Sequence, residues 1–367
     1  TPPTEKLTAV AGTVLLCCQD SDDPTQEATG KTITGYGKLA AGQPIQHKKV
    51  PSVGIDEGVT CSGDANINSL GYMYFPTGDT SQRGRGRGVF GSGETPSNDK
   101  VMDYVEIQSM GNAIKFGDLS AVSIAFAAVS SSTRGVFAIG VSPNITMEYI
   151  TIATTSNSTD FGDQSEGHIQ EASCSDNTRG LFAGGYGAPG ANLNTIDYVT
   201  MASTGDATDF GDLSANKYGL AGLSSPTRGI FAGGEPGRTN VMDYVTIAST
   251  GNAADFGDLT TARKRLNQQA GSNQTRGIFC GGHGPAGTIN LVDYVTIAST
   301  GNAVDFGDIS YAAPWGLSVC ASPTRGFIYG GYDGSSYYNT IEYVTIATTG
   351  NSQDFGDLTH TEMNASG

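Results

Sequence analysis

One phrase keeps returning along this chain: TRGVFAIG from residue 133, TRGLFAGG from 178, TRGIFAGG from 227, TRGIFCGG from 275, TRGFIYGG from 324, and a worn copy, GRGVFGSG, from 86. Aligned on the arginine, the copies fall at Arg87, Arg134, Arg179, Arg228, Arg276 and Arg325, with spacings of 47, 45, 49, 48 and 49 residues. Two further anchors follow each arginine in fixed order. The first is an acidic-Tyr pair, at Asp103-Tyr104, Glu148-Tyr149, Asp197-Tyr198, Asp243-Tyr244, Asp293-Tyr294 and Glu342-Tyr343. The second is Phe-Gly-Asp, at Phe116, Phe161, Phe210, Phe256, Phe306 and Phe355. A period near 48 residues belongs to propeller or array architectures.

Within a unit, four short apolar runs are separated by turn signals. In the fourth unit these are KYGLAGLSS, GIFAGG, NVMDYVTIAS and NAADFGDL. The run DYVTIAST alternates with the period of a strand, and nothing of comparable length shows helical spacing. Four strands in each of six units predict an all-β, six-bladed β-propeller of antiparallel blades. The blades are expected at about 69–120, 121–165, 166–214, 215–260, 261–310 and 311–359, with the inner strand of the first supplied by 68–78. The glycine after each repeat arginine is expected to supply the positive φ of a tight hairpin. The propeller is expected over 61–367. Residues 1–60 lack the repeat and read as an attachment or assembly segment, with a flexible linker as the plainer alternative.

An arginine turn, an apolar run ending in Gly-Gly, an acidic-Tyr strand and a closing aromatic strand resemble kelch repeats. Gly-Gly is intact at Gly184-Gly185, Gly233-Gly234, Gly281-Gly282 and Gly330-Gly331, while Phe-Gly-Asp replaces the usual closing tryptophan throughout. The wording TRGIFAGG…DYVTIASTGNAxDFGDL, together with GTVLLCCQDSDDP at 12–24, resembles repeat-bearing virion proteins of tailed phages that infect marine cyanobacteria and related bacteria. That resemblance implies a tail or surface-projection component assembled in the host cytoplasm and incorporated into the virion.

Charge narrows the range of partners. A net charge of −16 argues against nucleic acid, because the overall field repels phosphate. The local tract Arg83-Gly-Arg85-Gly-Arg87 reads as a solvated turn, since Arg87 is one of the repeat arginines. The 52 glycines fit a chain of many turns and close backbone approaches. Six cysteines do not form a disulfide framework; Cys174, Cys280 and Cys320 occupy positions where other copies carry Val, Ala or Leu, and read as small core residues. The apolar stretch from Leu7 to Cys18 is too short to span a bilayer. It lacks the basic flank and the small residue before Cys17 that a lipoprotein signal needs. A start at Thr1 without Met suggests a processed product or a chain whose beginning is missing.

Motifs that would carry chemistry are weak. Asp-Phe-Gly recurs in five of the six units without a Gly-rich loop or catalytic loop, so it reads as a closing strand and not as a kinase metal site. The six arginines and the acids of the other two motifs are expected to form a ring of charged hydrogen bonds, a scaffold role. His47, His168, His283 and His360 have no metal-ligand spacing. No catalytic residues, metal or cofactor are expected. The enzymatic alternative is a polysaccharide-active enzyme with paired carboxylates in the central channel.

Comparing the copies with one another separates two kinds of turn. Thr-Arg-Gly and Thr-Gly-Asn-Ala turns hardly vary and are expected on one face. The other face carries the divergent loops GETPSNDK, GVSPNIT, GYGAPGANLNT, GEPGRTN, GHGPAGTIN and GYDGSSYYNT. Folding does not require that variety, whereas an asymmetric ligand would. Blades five and six bring Arg263, Lys264, Arg265, His283, Tyr311, Trp315, Tyr332, Tyr337 and Tyr338 to this face, aromatic and basic groups suited to sugar rings or protein hot spots. The expected function is non-covalent recognition of host-surface polysaccharide or another virion protein by an oligomeric, multivalent particle component. A purely structural connector is the non-enzymatic alternative.

Overall fold

The computed structural model describes residues 66–67, 73–74, 87–91, 100–106, 112–122, 127–139, 145–187, 190–266, 270–311, 316–333 and 335–362. It divides into two units, Thr1–Gln82 and Arg83–Gly367. In the first, Asn66–Ile67 pairs with Met73–Tyr74; the expected inner strand at 68–78 is thus described only at 73–74, where it pairs elsewhere. The segment 1–60 lies outside the described residues.

The second unit is all-β, with no helix among the described residues. Its main elements are five four-stranded antiparallel sheets and one of three strands. Sheet 4 is typical, with strands Ala221–Ser224, Arg228–Ala232, Thr239–Thr246 and Ala254–Arg263 in sequential order. Sheet 1 comprises Arg87–Phe90, Val101–Glu106 and Ile114–Asp118; sheet 2 begins at Ala127, sheet 3 at Ala172, sheet 5 at Gly271 and sheet 6 at Ser318.

Each motif has a packing role. Every pairing of third and fourth strands shifts register just before the motif acid, as between Met242 and Asp243. The extra residue of this bulge is the Phe of Phe-Gly-Asp, so Phe256 leaves the ladder and is buried to 2% exposure. It meets Tyr244 edge-on at 6.0 Å, while the Arg228 guanidinium lies 4.5 Å above the other ring. All six copies repeat this Arg–Tyr–Phe stack.

The glycine after the arginine has a different role from the one its sequence implied. It does not adopt positive φ. It makes room for the preceding sheet's inner strand: a Cβ on Gly229 would stand 2.5 Å from Cys174 Sγ, and one on Gly277 2.4 Å from Leu223. Positive φ belongs instead to the Gly-Gly pairs, such as Gly233 at 70° and Gly234 at 110°.

Six hydrophobic clusters each join one sheet to the next. The last of them packs Phe327, Tyr329, Ile341, Phe355 and Leu358 of sheet 6 against Phe90, Val105 and Ala113 of sheet 1. Backbone hydrogen bonds run along the same seams. Gly301 N–H donates to Phe256 O at 2.7 Å and Ala303 N–H to Asp258 O at 2.8 Å, while Asn302 Oδ1 accepts from Asp258 N–H at 3.0 Å. Ala113 N–H donates to Asp357 O at 3.0 Å, repeating that contact between the last sheet and the first.

Candidate functional site

The motif acids and arginines do not pair with one another as expected. Arg134, Arg179, Arg228 and Arg276 each donate Nη1–H to a main-chain carbonyl of the following sheet, those of Met201, Ile247, Ile297 and Ile346, at 2.9–3.0 Å. Arg87 does the same to Ile152 O at 3.1 Å, and Arg325 stacks on Tyr343 at 4.7 Å. A neutral carbonyl beside an aromatic face keeps the guanidinium near the surface. The acids of the acidic-Tyr pairs are buried deeper and take other donors. Ser214 and Lys217 both donate to Asp243, at 2.9 and 2.8 Å, and Glu342 accepts from the Ser310 and Ser352 hydroxyls.

The inner strands line a cavity of about 310 Å³. Its wall carries a chain of serines: Ser175 Oγ donates to Ser130 O at 2.8 Å, Ser224 Oγ to Ser175 O at 2.6 Å, and Ser272 Oγ to Ser224 O at 2.7 Å. Asp176 is the one acid among the described lining residues, and it caps its own turn by accepting from Thr178 and Arg179 N–H at 2.6 and 2.7 Å. Among the described residues no His, Cys, Asp and Glu group is arranged to hold a metal ion.

Strand direction puts the invariant turns at one end of the sheets and the Gly-Gly loops, with the connections between sheets, at the other. At that variable end a local rule builds a rim. In three copies the residue after Gly-Gly pairs through its backbone with a residue of the preceding connection: Tyr186 with Ile169, Glu235 with Tyr218, His283 with Lys264. The side chains carried by these pairs form a continuous cluster. Tyr186 and Tyr218 rings lie 5.6 Å apart. Tyr218 Oη donates to Glu235 Oε2 at 2.9 Å, and Lys264 Nζ and Arg265 Nε each reach the same carboxylate at 3.3 Å. Arg238 Nη2 lies 3.2 Å from His283 Nδ1. Burial alone would raise the Glu235 carboxyl, but the Tyr218 hydroxyl, Lys264 and Arg265 together outweigh it and hold it below 4.5.

The expected site residues divide accordingly. Arg265, His283 and Lys264 belong to this cluster, with Arg265 43% exposed along its side chain. Arg263 is fully buried and pairs with Asp293, while its Nη1 donates to Gly281 O at 2.8 Å, so it braces the rim from beneath. Tyr311 is largely covered, donates to Gly330 O at 2.9 Å and packs on the Tyr338 ring at 4.8 Å. Tyr332 and Tyr337 pair across a hairpin with rings 4.7 Å apart, and Tyr338 Oη donates to Asp333 at 2.7 Å. These tyrosines form a second aromatic group on sheet 6; Trp315 lies outside the described residues. Sequence reasoning passed over Tyr186, Tyr218, Glu235 and Arg238. The signal available was the variation at the single position after Gly-Gly, which reads Tyr, Glu, His and Tyr in the four intact copies. Set against protein-family models the chain matches none, and a search of curated proteins finds no match.

Proposed function

We propose that residues 83–367 form a closed, six-bladed propeller of kelch type, and that the protein is a non-enzymatic recognition component of a phage virion whose variable rim binds host-surface glycan. The ring is supported by the six seams, above all the one between sheets 6 and 1, and by Cys320 standing where a Cβ on Gly88 would be 3.1 Å from its sulfur. The virion assignment is supported by the wording of the repeats. The single observation that carries recognition is the contrast between ends: one is fixed by repeated hydrogen bonds, while the other sets Tyr218, Lys264 and Arg265 around one buried-edge carboxylate, with an Arg238–His283 contact alongside. Rigid scaffolds with variable loops are how binding sites are usually built.

The test applies the full chain to an array of bacterial surface polysaccharides and assays the products for new reducing ends. Saturable binding without cleavage is expected. Cleavage would make the protein a polysaccharide-active enzyme, and absence of binding to every glycan would favour a connector between virion subunits. An antibody to the chain should decorate particles carrying its gene; undecorated particles would overturn the virion assignment. A crystal structure in which sheet 6 does not pack on sheet 1 would remove the ring.

A further inference from the structure

The rim cluster has a charge opposite to that of the protein around it. The chain carries a net charge of −16, yet here Lys264 and Arg265 flank the Glu235 carboxylate and Arg238 lies beside His283 on the same rim. Three cations against one anion leave a local positive excess. Glu235 is the inner member, with 9% of its surface exposed, whereas Arg238 and Arg265 are exposed residues, the Arg265 side chain to 43%. Tyr186, 39% exposed, extends the cluster with an accessible aromatic ring.

Backbone conformation gives a second, independent pointer. Four of the connections between sheets contain one residue in the left-handed region: Gln170 at 57°, Gly219 at 62°, Arg265 at 53° and Gly316 at 67°. They are linked across sheets, with Gly219 N–H donating to Gln170 O at 2.7 Å and Leu266 N–H to Gly219 O at 3.2 Å. Glycine fills this position where only the turn is needed. Gln170 and Arg265 are the only non-glycine residues at positive φ among the described residues, and strained side chains of this kind gather at functional sites.

We propose that Tyr186, Tyr218, Arg238, Lys264 and Arg265, organised by Glu235, form a subsite for an anionic sugar residue of a polysaccharide. This deepens the recognition reading above and rests on it. The carboxylate or sulfate of the sugar lies against the Arg265 and Arg238 guanidiniums, which pair with such groups through parallel N–H donors. The pyranose ring lies on Tyr186, whose apolar face suits its C–H surface. Glu235 positions Lys264 and Arg265 and is not itself a ligand contact. An acidic peptide would use the cations but has no need of the ring.

The test uses the full chain in calorimetric titrations with tetragalacturonate, a sulfated carrageenan tetrasaccharide, cellotetraose and a tetraglutamate peptide, at low and at physiological salt. Binding of one or both charged sugars at least tenfold tighter than cellotetraose, weakening with salt, is expected, and the two arms tell carboxylate from sulfate recognition. Arg265→Gly is the decisive variant because Gly219 and Gly316 already hold the same backbone; it should keep its thermal midpoint and lose at least tenfold in affinity. Tyr186→Ala should lose about as much for the sugars. Equal affinity for cellotetraose, or unchanged binding by a folded Arg265→Gly, would overturn the anionic subsite while leaving glycan recognition standing. Tetraglutamate binding as tightly as the charged sugars would overturn the sugar assignment. Silence of all these probes together with the whole array would remove recognition itself.

Discussion

Two sheets carry Glu where the others carry Asp at the motif acid, and this exchange predicts a coupling that can be measured. In sheets 2 and 6 the acid is Glu148 or Glu342, and ten residues on stands Ser158 or Ser352; in the other four the acid is Asp and the later residue is Ala113, Ala207, Ala253 or Ala303. The longer acid reaches that serine: Ser352 Oγ donates to Glu342 Oε2 at 2.5 Å, and Ser158 Oγ to Glu148 Oε2 at 2.5 Å. Ser352→Ala removes a hydrogen bond to a buried carboxylate, a loss of roughly 1.5–3 kcal/mol. Glu342→Asp withdraws the carboxylate by one methylene and leaves the Ser352 hydroxyl with only the 3.4 Å contact to Asp308 O, a loss of roughly 1–3 kcal/mol. The double variant recreates the Asp–Ala combination of sheets 1, 3, 4 and 5, so it should recover about 1–2 kcal/mol relative to the sum of the singles. Thermal and urea unfolding of the four proteins measures this, with about 2–4 °C expected per kcal/mol in a unit of this size. Additivity within about 0.5 kcal/mol would refute the reasoning, because it would mean that acid and serine vary independently.

Further outcomes follow from the same contacts. Arg263→Met leaves Asp293 buried without its cation and should lose about 3–5 kcal/mol, whereas Arg263→Lys should retain much of the stability, since Lys217 makes the equivalent bond to Asp243 at 2.8 Å; chemical denaturation distinguishes them. Gly257→Ala would bring a Cβ to 2.5 Å from Gly301 O at a φ of 139°, so roughly 2–4 kcal/mol should be lost, read as a lower thermal midpoint. For His168, burial lowers the imidazole pKa, but the hydrogen bond and charge of Glu171, with Glu166 and Asp197, hold it above 6.5. The folded state therefore binds this proton more tightly than the unfolded chain. Its stabilisation is complete below pH 6.5 and fades as pH rises through the folded value; His168→Gln should flatten that slope in unfolding midpoints taken from pH 5.5 to 9.

What the sequence made legible was whatever depended on chain-local pattern. Alternation and turn residues announced the strands, and the spacing of Arg, acidic-Tyr and Phe-Gly-Asp announced the sheets. What it hid were partners across seams. The glycine after Arg228 looked like a turn residue, yet its reason is Cys174 of the preceding sheet, 55 positions earlier in the chain. The arginines and acids looked complementary because unlike charges invite pairing, but the acids of the acidic-Tyr pairs are buried and the arginines sit at the edge, each with nearer partners. Reading Asp-Tyr and Glu-Tyr as one motif concealed the Ala or Ser that goes with each. The rim was half legible. Arg265 and His283 stood out by residue type, while Glu235 and Tyr218 emerged only when backbone pairing brought two connections together.

At the same rim, stability and the proposed recognition can be tested apart. Arg265 holds a left-handed conformation that disfavours a side chain by roughly 1–2 kcal/mol. Its ion pair with Glu235, at 3.3 Å and partly exposed, returns at most about 1 kcal/mol. Replacement by glycine relieves the strain, gives up the ion pair and adds roughly 0.4–1 kcal/mol of unfolded-chain freedom. These changes nearly cancel, so Arg265→Gly should unfold within about 4 °C of the parent protein. An unchanged midpoint would show that folding is close to indifferent to the arginine and would agree with the proposed contact at the surface. A larger fall in the midpoint would mean that Arg265 braces the rim as Arg263 does, and the variable end would then be scaffold as far as this position.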